Sequence, residues 1–117
     1  MRNSGKSWER QVVLENQALY NAGLAVVTRV PTHDYAGPSK EPKVDFAGSL
    51  AGGRAVFFEA KSGTGRLTRP QRALLASHAR MGALAFVYHS DGYVRLVDGD
   101  GELGEKITVS TWHEITE

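Results

Sequence analysis

The sequence contains no cysteine in its 117 residues, which excludes disulfides, thiolate nucleophiles and cysteine-bound zinc. It has no apolar run of membrane-span length, and its opening, Met1-Arg2-Asn3-Ser4-Gly5-Lys6, lacks the apolar core of a signal peptide. A cytoplasmic protein with no membrane partner is expected. Repeats, low-complexity tracts and linkers are missing as well. The four histidines (His33, His78, His89, His113) show no metal-ligand spacing and read as surface or core residues. What is present is ordinary: 41% hydrophobic and 23% charged residues, enough for one domain over residues 1–117 with a modest core.

The net charge is only +1, but the charges are segregated. Between Arg54 and Arg80 stand six basic residues and one acid, Glu59, whereas from Asp91 onward seven acids face Arg95 and Lys106. A basic middle beside acidic residues is what a polyanion-binding edge would need, although solvated side chains give the same composition.

Periodicity orders the chain as helix, three strands, helix, two strands. Trp8, Val12, Glu15, Leu19 and Ala22 share one face of a helix over residues 3–22, closed by Gly23. Trp8 reads as a core aromatic of that helix. Leu24–Val30 reads as a strand stopped by Pro31, and residues 32–42 as a polar loop. Strands follow at 44–47 and 54–61. Thr68-Arg69-Pro70-Gln71 has a capping-box pattern that opens a helix to about Arg80, with Gly82 closing it. Ala83–His89 and Tyr93–Val97 pair across the Asp91-Gly92 turn, and the tail from Lys106 holds a short strand and a helical turn near 111–115. This order predicts an α/β fold, a mixed sheet of about five strands flanked by helices.

The chemistry concentrates on two of these strands. Asp45 ends one apolar run, and Glu59-Ala60-Lys61 ends the next. If the runs are antiparallel neighbours, the two carboxylates meet at one end of the sheet, and alternation puts Glu59 and Lys61 on one face with Ala60 on the other. Charges on a buried strand need partners. A hard divalent cation with the phosphate it holds is the obvious one, with Asp45 and Glu59 as ligands and the Ala60 carbonyl as a further oxygen. Lys61 would then orient or help deprotonate an attacking water, or neutralise the phosphate.

Asp45 with Glu59-Ala60-Lys61 resembles the PD-(D/E)xK nuclease motif. Gly5-Lys6-Ser7-Trp8-Glu9, Ala25-Val26-Val27-Thr28-Arg29-Val30-Pro31-Thr32, Val44-Asp45-Phe46-Ala47-Gly48 and Phe58-Glu59-Ala60-Lys61 are similar to successive segments of RecU-type Holliday-junction resolvases. Gln71 and the strand Gly82–Val87 also fall where that family has a helix glutamine and its next strand. Archaeal resolvases share the helix glutamate, the Asp and the Glu-x-Lys. The resemblance spans roughly residues 2–98.

It implies a restriction-endonuclease-like core and a Mg²⁺-dependent homodimer, with Mn²⁺ as a substitute, cutting opposing strands of four-way junction DNA in recombination and repair. By position Asp45 and Glu59 are its metal ligands, Lys61 its catalytic lysine, Glu9 a further acid and Gln71 a supporting residue. The alternative for Glu9 is a solvated carboxylate favoured at a helix N-terminus, and Gln71 equally suits a capping box. Candidate DNA contacts are Lys6, Arg29, Lys40, Lys43, Arg66, Arg69 and Arg72. The chain departs from RecU in having only residues 32–44 where that family carries a long stalk; His33, Tyr35, Lys40 and Lys43 on this shorter loop are the contacts expected instead. Two alternatives are another nuclease of the superfamily acting on duplex or flaps, and a non-catalytic DNA-binding accessory domain.

Overall fold

Alternation along β3 (Ala55–Lys61) fixes the layering of the molecule. Val56, Phe58 and Ala60 are buried on one face, while Phe57, Glu59 and Lys61 point to the other. A strand covered on both faces sits at the centre of a sheet. In the computed structural model, which describes residues 5–31 and 43–116, that sheet has six strands in the order β1 (Ala25–Arg29), β2 (Phe46–Leu50), β3, β4 (Leu84–His89), β5 (Tyr93–Leu96) and β6 (Ile107–Thr108). Lys40, His33 and Tyr35 lie outside the described residues. All neighbours are antiparallel except β3 and β4, which the helix α2 (Arg69–Arg80) connects as a parallel pair. The mixed α/β architecture is as expected; the sixth strand is the two-residue β6, where only a short tail strand was anticipated.

One face is covered by α1 (Gly5–Asn21), whose Trp8 and Val12 pack on Phe46, Phe58, Phe86 and Trp112. Phe58 stacks between Phe46 and Phe86 with ring centroids 5.0 and 4.6 Å away. Two indole N–H groups tie this layer together: Trp8 Nε1 donates to the Tyr88 carbonyl at 3.1 Å and Trp112 Nε1, in the closing 3₁₀ turn (Trp112–Thr116), to Asn16 at 2.8 Å. Trp8 is thus a core residue, as its spacing predicted. The other face is covered by α2, with Leu75 and Ala76 over Ala85 and His78 stacked on Phe57 at 3.6 Å.

The Asp45 segment is anchored by its neighbours. Val44 is buried in the α2-side core, Phe46 in the α1-side core, and Val30 N–H donates to the Asp45 carbonyl at 2.8 Å. A residue whose neighbours are clamped into opposite cores has little freedom left. Asp45 itself occupies a bend, so β2 begins one residue after it and runs on through Leu50.

Candidate active site

Because β2 starts at Phe46, opposite Phe58, the β3 edge beyond that pair has no strand to bond. Asp45 fills the gap with its side chain: its Oδ2 accepts the Ala60 N–H at 3.0 Å. Glu59 answers from β3, where its Oε2 accepts the Asp45 N–H at 2.8 Å. Each carboxylate is therefore bonded to the backbone beside the other, and the convergence expected from the two short runs is realised. In a strand the N–H and C=O of one residue point to the same edge, so the Ala60 carbonyl faces Asp45 as well.

Glu59 is fully buried, and its second oxygen, Oε1, has no hydrogen-bond partner. Burial, and after it the Asp45 charge, raises its pKa to about 8 against the opposing pull of the Asp45 N–H and Lys61. A buried carboxylate with an unpaired oxygen beside a second carboxylate favours the arrival of positive charge. Among the described residues no three His, Asp or Glu converge as a closed metal set. Two carboxylates and a carbonyl are nonetheless the all-oxygen donors a hard cation such as Mg²⁺ accepts while keeping waters. Lys61, half-buried, lies two residues along on the Glu59 face.

The remaining candidates divide. Glu9 is on α1 and its Oε2 pairs with Arg29 at 2.7 Å, on the face opposite Glu59. The pair stands at the same end of the sheet, since Arg29 is in register with Phe46. Glu9, expected as a further acid of the site, and Arg29, expected as a DNA contact, are thus engaged with each other. Gln71 closes the capping box: its Oε1 accepts the Thr68 N–H at 2.8 Å and its own N–H donates to Thr68 Oγ1 at 3.2 Å. Lys6, Lys43, Arg66, Arg69 and Arg72 are exposed, Arg66 and Arg69 on the segment that leaves Lys61 for α2. Arg72 packs beside Gly101 in the acidic loop. His89, read from the sequence as a surface or core residue, is buried, and the β3–β4 register sets it next to Lys61, an adjacency that no spacing in the sequence signals.

Two open hollows of about 380 and 550 Å³ lie by Arg54 and Leu84 and by Tyr20 and Leu50, at the far end of the sheet. Neither includes Asp45, Glu59 or Lys61, which instead share the end of the sheet with the exposed cations Lys43 and Arg66.

No protein-family model and no curated protein sequence matches the chain. Among solved structures, it matches Hjc from the archaeal hyperthermophile Archaeoglobus fulgidus, a Holliday junction resolvase, with a TM-score of 0.57 and 24% identity over 97% of this chain and 100% of that one. The chain has the fold of that archaeal protein, a mixed sheet between two helices.

Proposed function

We propose that the protein is a divalent-metal-dependent, structure-selective endodeoxyribonuclease that resolves four-way DNA junctions by paired symmetric nicks. The observation that carries this reading is the reciprocal clasp of Asp45 and Glu59, which leaves one buried Glu59 oxygen unpaired beside Lys61. Asp45 and Glu59 would hold Mg²⁺, or Mn²⁺ in its place, with the Ala60 carbonyl. Once bound, that ion supplies charge neutralisation at the phosphate and a water of lowered pKa.

The chain's own residues supply the rest. Lys61 brings an ammonium to the same face, where it offsets charge gathering on the phosphate or orients the attacking water. Arg66 and Arg69, exposed just beyond it, suit phosphates rather than bases, so selectivity would come from junction shape. The likeness in fold to a resolvase supports the choice of substrate. Two equivalent strands must be cut, and a homodimer presents two such sites to one junction.

Asp45→Asn removes a charge and keeps an oxygen for the Ala60 N–H. It is expected to bind a four-way junction within about threefold of wild type while cleavage in Mg²⁺ falls about a hundredfold or more. Cleavage by this variant near the wild-type rate would refute the metal role. Offering a junction, a flap and a linear duplex at equal concentration tests the substrate: faster cutting of flap or duplex assigns the site to a different nuclease activity.

A further inference from the structure

From Asp91 to the C-terminus the sequence holds seven acids and only two bases, Arg95 and Lys106. The fold gathers both bases beside the carboxylate pair. Helix α2 covers Phe57, Ala85 and Val97 on its face of the sheet. The next row toward the site runs in register from Glu59 through Val87 to Arg95, and the row beyond it from Lys61 through His89 to Tyr93. Neighbouring strands lie about 4.8 Å apart, so Arg95 stands about 10 Å to the side of Glu59, away from Asp45.

Neither base is paired with an acid of the described residues; neutral groups hold both. Arg95, half-buried, donates its Nε–H to the Gly104 carbonyl at 2.7 Å. Lys106, exposed, has its ammonium 4.6 Å from the centroid of the Tyr93 ring, which brings it to the same face. That ring is braced in turn by the buried His89, stacked on it at 4.3 Å with planes 18° apart. A carboxylate would cancel these charges, whereas a carbonyl and an aromatic face fix them in place and leave them intact. Burial lowers the His89 pKa most, and Arg95, Lys106 and Lys61 lower it further against the pull of Asp91, so the three cations converge on one ring.

We propose that Arg95 and Lys106 form a phosphate-contacting site for the DNA backbone, beside the carboxylate pair and across it from the Asp45 segment. Two ordered positive charges within an acidic stretch give a polyanion one place to rest on this side of the sheet. A displacement of about 10 Å is roughly three nucleotide steps along a duplex strand, which puts the contact that far from the bond to be cut. The position relative to the cut rests on the nuclease reading; the contact with phosphate is tested without it.

Arg95→Gln with Lys106→Gln removes both charges and keeps polar side chains. With a labelled four-way junction in Ca²⁺, anisotropy over a salt series is expected to show weaker binding. The slope of log affinity against log salt should become shallower by about two, and by about one in Lys106→Gln alone. Lys106→Arg restores the charge and should return the slope to the wild-type value. Ethylation of single phosphates about three nucleotides from the cut should weaken binding of the wild type and not of the double variant. An unchanged slope in both Gln variants overturns the proposal, as does a slope equally reduced in Lys106→Arg, which would trace the loss to structure and not to charge. Interfering phosphates found only far from the cut overturn its placement. If the wild type binds the junction but cuts none in Mg²⁺, a shallower slope upholds the phosphate site and the nuclease reading falls instead.

Discussion

Glu59 is a buried carboxylate beside a second carboxylate, and its titration makes the cost of that placement measurable. Its ordinary pKa of 4.5 rises to about 8 in the folded chain, first through burial and then through the Asp45 charge. Between these values the folded state holds a proton that the unfolded state has lost. Stability without metal therefore declines as pH rises from about 5 and levels off above about 8. Glu59→Gln removes the titration while keeping an oxygen for the Asp45 N–H. Its stability is expected to be flatter across this window and to exceed wild type at pH 8 by on the order of a few kcal/mol, read from urea unfolding. Calcium binds oxygen sites without needing to support cleavage, so it should raise the wild-type melting temperature at pH 8 and leave Glu59→Gln nearly unmoved. A variant no more stable than wild type at pH 8 would show that Glu59 is not under this strain. The sequence made the pair visible because charge ending two buried-looking runs is rare. It could not reveal that Asp45 sits on a bend and clasps backbone, since that depends on where β2 stops.

At the level of elements, the features that could be read directly are those whose causes are local. The helix α2 begins where Thr68 and Gln71 cap each other and Pro70 fits the first turn. Gly23 takes the left-handed conformation, φ +72°, after α1. Gly48 illustrates what was hidden. Its spacing after Asp45 matched a family motif, but the physical reason is a close approach of β1: a Cβ there would lie 1.9 Å from the Val26 carbonyl oxygen. Likewise the Lys61–His89 adjacency arises only when β4 returns parallel to β3 through the α2 crossover, a contact between residues remote in sequence. The cap also decides what Gln71 contributes. Its amide oxygen is engaged by the Thr68 N–H, so Gln71→Ala is expected to lower stability by about 1 kcal/mol and to leave cleavage within about threefold of wild type. A hundredfold loss of cleavage in a variant of unchanged stability would instead place Gln71 at the reacting phosphate.

Across the whole molecule, a net charge of +1 cannot attract DNA by itself, so any attraction depends on where the charges lie. The exposed cations Lys43, Arg66 and Arg69 flank the end of the sheet that carries Asp45 and Glu59, while the acids from Asp98 to Glu102 sit on the loop after β5. No helix of the described residues is long and apolar enough to cross a membrane. If Arg66 and Arg69 each contact a phosphate, binding releases counterions and the logarithm of affinity falls linearly with the logarithm of salt. Replacing both by Gln should then make that slope shallower by about two, with weaker binding to junction and duplex alike. The change should shrink the affinity without altering which structure is preferred, because phosphate contacts position DNA and shape selects it. As a control, Asp98→Asn and Glu102→Gln together should leave the slope unchanged or steepen it slightly. An unaltered slope in the Arg66→Gln, Arg69→Gln protein, measured by fluorescence anisotropy over a salt series, would mean that the DNA approaches the carboxylate pair from another side.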